Sequence, residues 1–477
     1  MMIIKVGKVE RWKNGRMVKL KNGKGEWLSA ISGLLSNIPT FQYSNFPLRF
    51  CLLLSFVIPF SSGAQGIKGR TGVFVLAGAT IIPVTTDTIV NGTLVIKNGE
   101  IAAIGKNISV PAGTEVINCE GLYIYPGMIE GGATLGLIEV GSDARTRDYN
   151  EIGEVVPQVK ALTAINPNSV LIPVTRVSGV TTSLAMPSGG LFSGTAALIH
   201  LHGYTPDQMY AGFEGLVMNY PATGKKSKWD KRSEEEIKEE AEEALKMLDD
   251  VWEKAVAYYK IDSTISAESA AGQLEYYPEM KALLPVISGK QPLLIVVNAA
   301  HDIKSAIKWV ENKNIKVVFT GVAEGWRVAE ELAEAEIPVI AGPVLSIPNR
   351  EYDRYDRAYA NPGIMYKAGV KVAIKTGDAE NVRNLPYHAG FAATYGMGKE
   401  EALKAITIIP AEILGVSDRL GSLEAGKSAT LFVTDGDPFE TETQVKHVFI
   451  EGWKIPLISR QTRLYDEFLD RQPGLEK

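Results

Sequence analysis

A chain of 477 residues, 45% of them hydrophobic, is long enough to bury a large core and to form two or three domains. Its formal net charge of -5 and pI near 5.8 argue against nucleic acid as the main partner. The charge is uneven, because residues 1–64 hold nine Lys/Arg and two Asp/Glu while the remainder holds 41 basic and 53 acidic residues.

The first segment with a defined character is Phe50-Cys-Leu-Leu-Leu-Ser-Phe-Val-Ile-Pro-Phe60, preceded by Arg49 and followed by Ser61-Ser-Gly-Ala-Gln-Gly66. A basic flank, a short apolar core and small residues ahead of a cut after Ala64 are the marks of a secretory signal peptide. A buried strand or short helix is the competing reading. The run falls short of the ~20 apolar residues that a membrane span needs. An exported protein, periplasmic or secreted, is therefore expected. Residues 1–45 make the n-region unusually long, which points to a start codon assigned too far upstream. Cleavage would remove Cys51 and leave Cys119 alone, so the mature chain would have no internal disulfide.

From Val73 to Tyr125 short β-branched runs predict strands, and Asn98-Gly99 supplies a turn that tolerates left-handed backbone between two of them. Residues 225–260 are the most charged stretch. There Ile237, Ala241, Leu245, Leu248, Val251, Trp252 and Ala255 recur at helical spacing. This predicts an amphipathic helix with a solvated outer face, or one that meets a partner. Beyond it, strands at Pro292–Val297, Lys316–Thr320, Ile337–Ala341 and Lys371–Lys375 alternate with helices at Asp302–Asn312, at Ala323–Ala335 and on to Leu414. Such alternation implies parallel pairing in a barrel or a doubly wound sheet. Strands return at Gly421–Asp435 and Val445–Gly452, which predicts a β domain made from both ends of the chain.

The junction between the first β region and the α/β region reads Pro126-Gly-Met-Ile-Glu-Gly-Gly-Ala-Thr-Leu-Gly136. This stretch resembles the start of the first barrel strand in the amidohydrolase superfamily, where a Pro-Gly-hydrophobic-Ile-Asp lead-in precedes a metal-binding His-x-His pair. Asn-Gly-x-Ile-x-x-Ile-Gly at 98–105 and Gly-Ser-Leu-Glu-x-Gly-Lys at 421–427 resemble the composite β domain of its imidazolonepropionase-like members. The resemblance implies an α/β fold, a (β/α)8 TIM-like barrel at 126–415 with a small composite β-sandwich from 65–125 and 416–455. Residues 1–64 would be the upstream region and signal peptide, and 456–477 a C-terminal tail. It also implies hydrolysis of non-peptide or cyclic amide C–N bonds, with zinc held at the C-terminal ends of the strands and an Asp on the last strand managing the proton.

Carried over position by position, the family pattern fits poorly at the metal. Glu130 matches the first-strand acid, while Gly132 and Thr134 stand at the two His positions. Val296 falls at the fifth-strand His, Thr320-Gly321 at the sixth, and Asp378 matches the last-strand Asp. Zinc is thus implied by resemblance only, and no metal is expected at the usual place. Asp378 is the candidate catalytic group, as a general acid or base tuned by Arg383 or His388; the alternative is a helix cap. Glu130, Thr134, Thr320, Arg383 and His388 are the further pocket candidates. His200-Leu-His202 has a spacing that puts both imidazoles on one strand face, as a chelating pair or as an ordinary polar face. The run Arg350–Arg357 supplies aromatics and guanidinium groups for an anionic or planar ligand, or else a solvated helix. Two functions follow. One is a hydrolase acting on a small molecule; the other is a catalytically inactive binding protein or partner subunit of an active paralogue. Homo- or hetero-oligomers are expected by analogy with the family.

Overall fold

The computed structural model describes residues 2–5, 8–13, 16–19, 69–224, 231–268, 275–348, 350 and 352–471. The chain divides into two units, Met1–Gln65 and Gly66–Lys477. In the smaller unit β1 (Met2–Lys5), β2 (Lys8–Lys13) and β3 (Arg16–Lys19) form an antiparallel meander. The signal-like run Phe50–Phe60 and the cut after Ala64 lie outside the described residues.

The larger unit opens with β4 (Phe74–Ile81), β5 (Ile89–Lys97), β6 (Glu100–Gly105), β7 (Glu115–Asn118) and β8 (Tyr123–Pro126). Asn98 and Gly99 take φ values of 54° and 86° in the two-residue turn that closes β5 on β6, the backbone that matches strand twist in a tight hairpin.

Eight strands follow in an order that is the same in space as in sequence. They are β9 (Met128–Ala133), β10 (Val180–Ala185), β11 (Phe192–His200), β12 (Tyr210–Asn219), β13 (Leu293–Val297), β14 (Val317–Gly321), β15 (Val339–Ala341) and β16 (Val372–Ile374). All neighbours pair in parallel except at β11, which runs against both β10 and β12. This is a departure from eight β/α repeats, and its cause is the short connections. Six residues join β10 to β11 and nine join β11 to β12, too few for the helical crossover that a parallel return requires. Helices Ala300–Val310, Ala329–Glu334 and Arg357–Lys367 follow β13, β14 and β15 as the alternation predicts.

The strands are apolar on both faces because helices cover the outside and side chains fill the inside. Ile129, Leu184, Leu198, Val217, Leu294, Val318, Ile340 and Ala373 form the interior cluster, which Ala411, Leu414, Val416 and Leu420 complete. The edges β9 and β16 are bridged by Ala405 and Ile406, whose carbonyls accept from Ile374 N and Ile129 N at 3.0 and 2.8 Å. The helix Glu234–Glu268 lies outside the barrel and buries Ile237, Ala241, Leu248, Val251, Trp252 and Ala255. Last, β17 (Leu431–Thr434), β18 (Val445–Ile450) and β19 (Trp453–Ile455) join the first sheet by pairing β17 with β8. The resulting composite of both ends encloses its own core, including Phe74, Leu94, Ile124, Leu431 and Phe449. Among the described residues no helix is long and apolar enough to cross a membrane.

Candidate functional site

The carboxyl ends of the parallel strands define the barrel mouth, where sites of this architecture are built. Glu130 sits there fully buried. Its Oε1 accepts from Gly132 N at 3.1 Å and from Thr376 N at 2.9 Å, and Oε2 has no partner. Burial pushes the carboxyl up to about 7, against the hydrogen bonds from Thr376 and Gly132 and the charge of Lys375. Lys375, 9% exposed, follows β16. Burial pushes its amine down to about 8, and the charge of Glu130 opposes that shift. The Thr320 and Ser183 hydroxyls are also buried in this region without partners.

Lys375 and Met186 fill the space next to β9. A Cβ placed on Gly131 would lie 2.5 Å from Ile340 Cγ2 and 3.5 Å from Lys375 Cβ. On Gly132 it would overlap Met186 Sδ and lie 3.5 Å from Lys375 Cδ. Glycine at both positions thus makes room for the lysine stem and the thioether. The signal was present in the sequence. Ala373 faces the interior, so Lys375, two residues on, continues that face.

The other sequence candidates are dispersed. Thr134 is half-buried just past β9, where its carbonyl accepts from Leu137 N at 3.0 Å. Asp378 is exposed; its two oxygens accept from Asn381 N at 3.1 Å and Asn381 Nδ2 at 2.8 Å. The structure therefore gives it a capping geometry. Arg383 is exposed on the short helical turn Val382–Asn384, which follows the turn that Asp378 caps. His388 is 3% exposed, and its Nδ1 accepts from Val344 N at 3.2 Å, clamping the segment after β15. Burial lowers its imidazole to about 4 although Asp378 opposes this, so it is a neutral acceptor at ordinary pH.

His200 and His202 lie at the opposite end of the barrel. The reversal of β11 places His200 beside Thr182 near the start of β10. There its Nε2 is 3.5 Å from Glu451 Oε1, while the His202 ring packs 5.3 Å from that of Trp453. Burial lowers both imidazoles to about 4. Among the described residues no group of three or more His, Cys, Asp or Glu side chains could hold a metal ion.

Sequence reasoning did not single out Glu324. It is 3% exposed just after β14, and it receives Arg350 Nε and Nη2 at 2.6 and 2.7 Å and Ala300 N at 2.9 Å. The ion pair raises the Arg350 pKa and ties the Arg350 segment to the mouth. A charge-assisted fork of this kind is among the stronger polar contacts available to a protein.

The sequence pattern of the amidohydrolase family matches residues 178–454. An imidazolonepropionase from Mesorhizobium japonicum is 22% identical over 409 residues, covering 78% of this chain and 94% of that one. Amidohydrolase tasK from Hapsidospora irregularis is 22% identical over 371 residues, 68% of this chain, which spans only 36% of that relative. Among solved structures, an amidohydrolase from Thermotoga maritima MSB8 superposes with a TM-score of 0.70 at 26% identity, covering 81% of this chain and 100% of that one. With the family pattern spanning more than half of its length, the chain belongs to the amidohydrolase family.

Proposed function

We propose that this amidohydrolase-family protein binds a small molecule at the barrel mouth without the divalent metal of its family, and that it does not run metal-assisted hydrolysis. The observation that carries the reading is the space at Gly132, the first His position, which Met186 Sδ occupies and the Lys375 stem borders, so that a side chain there would have to displace the thioether. A zinc site needs three or four N, O or S ligands converging on one point. The strand ends offer Glu130, a second carboxylate in Glu324 that Arg350 already occupies, hydroxyls that are poor ligands, and a buried ammonium that repels cations. The family's zinc does not fit that set, and Lys375 supplies the positive charge instead. A ligand-binding protein, alone or as the partner of an active paralogue, follows from this reading. Export belongs to the same proposal and rests on residues 49–66.

Metal-independent C–N hydrolysis is the second reading, and Glu130 favours it. The free Oε2 and a carboxyl near 7 beside an amine near 8 place two proton-transfer groups close to neutral pH. Elemental analysis of the purified protein, with turnover measured on a panel of cyclic and N-acyl amides, separates the cases. The binding reading expects no stoichiometric zinc and no turnover. Stoichiometric zinc with chelator-sensitive turnover would refute both readings. Turnover in metal-free protein that is lost in Glu130→Gln and kept in Asp378→Asn would establish the second.

A further inference from the structure

The rim of the mouth over β14 and β15 carries four arginines, and three of them have a carboxylate. Arg350 pairs with Glu324, Arg327 with Asp353, and Arg354 with Asp356. Arg357 makes no ion pair among the described residues. Its guanidinium carbon instead lies 4.6 Å from the centroid of Trp326, which Arg327 also approaches at 4.1 Å. The Trp326 backbone is itself held, since its main-chain N–H donates to Asn361 Oδ1 at 2.7 Å and Asn361 Nδ2 donates to Val322 O at 2.9 Å. Stacking on an indole orients a guanidinium while leaving its edge N–H groups free, the geometry that takes a carboxylate in a two-point fork.

Arg357 lines a small cleft, with about 20 Å3 of room for water-sized groups, together with Trp326, Gly342, Asn361 and the carboxylates Glu324 and Asp353, which Arg350 and Arg327 neutralise, so that Arg357 is the surplus charge. That space takes one or two water-sized groups, the scale of carboxylate oxygens, and excludes a ring. The floor is close to the buried pair: a Cβ on Gly342 would lie 3.1 Å from Lys375 Cγ. The helix Arg357–Lys367 starts at the cleft with no side-chain cap, so its first N–H groups add to the positive potential.

We propose that this cleft holds the carboxylate of a small-molecule ligand and that Arg357, laid on Trp326, is its anchoring cation. The proposal rests on the reading of the barrel mouth as a small-molecule site and names its ligand class, a compact organic acid whose remainder extends across the mouth. Calorimetric titration of the full chain with hippurate and with its neutral amide, hippuramide, tests it. Hippurate should bind about tenfold tighter or more, Arg357→Gln should erase the difference, and Arg354→Gln should leave it intact. Trp326→Phe, which keeps a ring under the cation, should reduce the preference only in part. Equal binding of the two probes, a preference that survives Arg357→Gln, or no hippurate binding up to about 20 mM would overturn the assignment. Matching melting temperatures for wild type and Arg357→Gln guard against loss of fold. Zinc content and amide turnover bear only on the metal-free reading, so the two ideas fail separately.

Discussion

Replacing Lys375 with methionine keeps most of the stem that packs against Gly131 and Gly132 and removes the charge beside Glu130. Glu130 holds its proton more tightly when folded, at about 7 against an ordinary 4.5. As pH rises above 4.5 the unfolded chain ionises first, so wild-type stability falls through this window and the loss is complete once pH passes about 7. Between pH 5.5 and 7 the decline amounts to about 2 kcal/mol. In Lys375→Met the carboxyl lacks its counter-charge and its pKa moves higher, so the decline continues beyond pH 7 and is larger than in wild type. At pH 5.5, where Glu130 is protonated, the variant is at least as stable as wild type, because the cost of burying the ammonium is gone. Urea midpoints at pH 5.5, 7 and 8, with the slopes held in common, measure the difference. An infrared carboxylic-acid band at pH 7 that disappears in Glu130→Gln would identify the titrating group directly. Parallel pH profiles for wild type and Lys375→Met would refute the idea that these side chains form one electrostatic pair.

Gly132→His should fail to create a zinc site and should cost about 1–3 kcal/mol by overpacking against Met186; zinc stoichiometry and urea midpoints check both parts. His388→Ala leaves Val344 N without its acceptor and should cost about 1–3 kcal/mol, with hydrogen exchange at 344–346 accelerated well beyond the global change. Asp378→Ala should cost about 1 kcal/mol as the loss of an exposed cap and should leave hippurate binding unchanged. Expression of the full open reading frame in a bacterial host should yield exported protein whose sequence starts at Gln65, and an N-terminus near Met1 would refute the export proposal.

Much of the fold was legible because it rests on short-range physics. Asn98-Gly99 dictates a tight hairpin, and the alternation from Pro292 to Lys375 dictates parallel strands with helical returns. The reversal at β11 was harder to read. The Gly-rich segment at 188–194 looks like any loop, and the direction of the next strand depends on connection length and sheet order, neither of which periodicity encodes. That reversal also determined where the His200–His202 pair lies. At the mouth, the inward placement of Glu130 and Thr320 is legible because strand position fixes which way a side chain points. Asp378 and Arg383 lie beyond the strand, where loop geometry decides exposure and sequence spacing carries little information. Lys375 reads as a surface residue from its type alone, although its register with Ala373 places it inside.

The carboxylate of Glu130 takes Gly132 N on its own strand and Thr376 N just past β16, a residue 246 positions away. It therefore acts as a latch across the seam where the first and last strands of the barrel meet. A contact of such sequence separation is made only after the rest of the ring has assembled, since the loop it closes is nearly the whole barrel. Disrupting it with Glu130→Leu, which offers neither N–H an acceptor, should leave the rate of refolding almost unchanged and should speed the rate of unfolding, the kinetic signature of an interaction formed after the transition state. On this view the acid at the first strand sets how long the closed ring persists once formed, whatever chemistry the mouth performs.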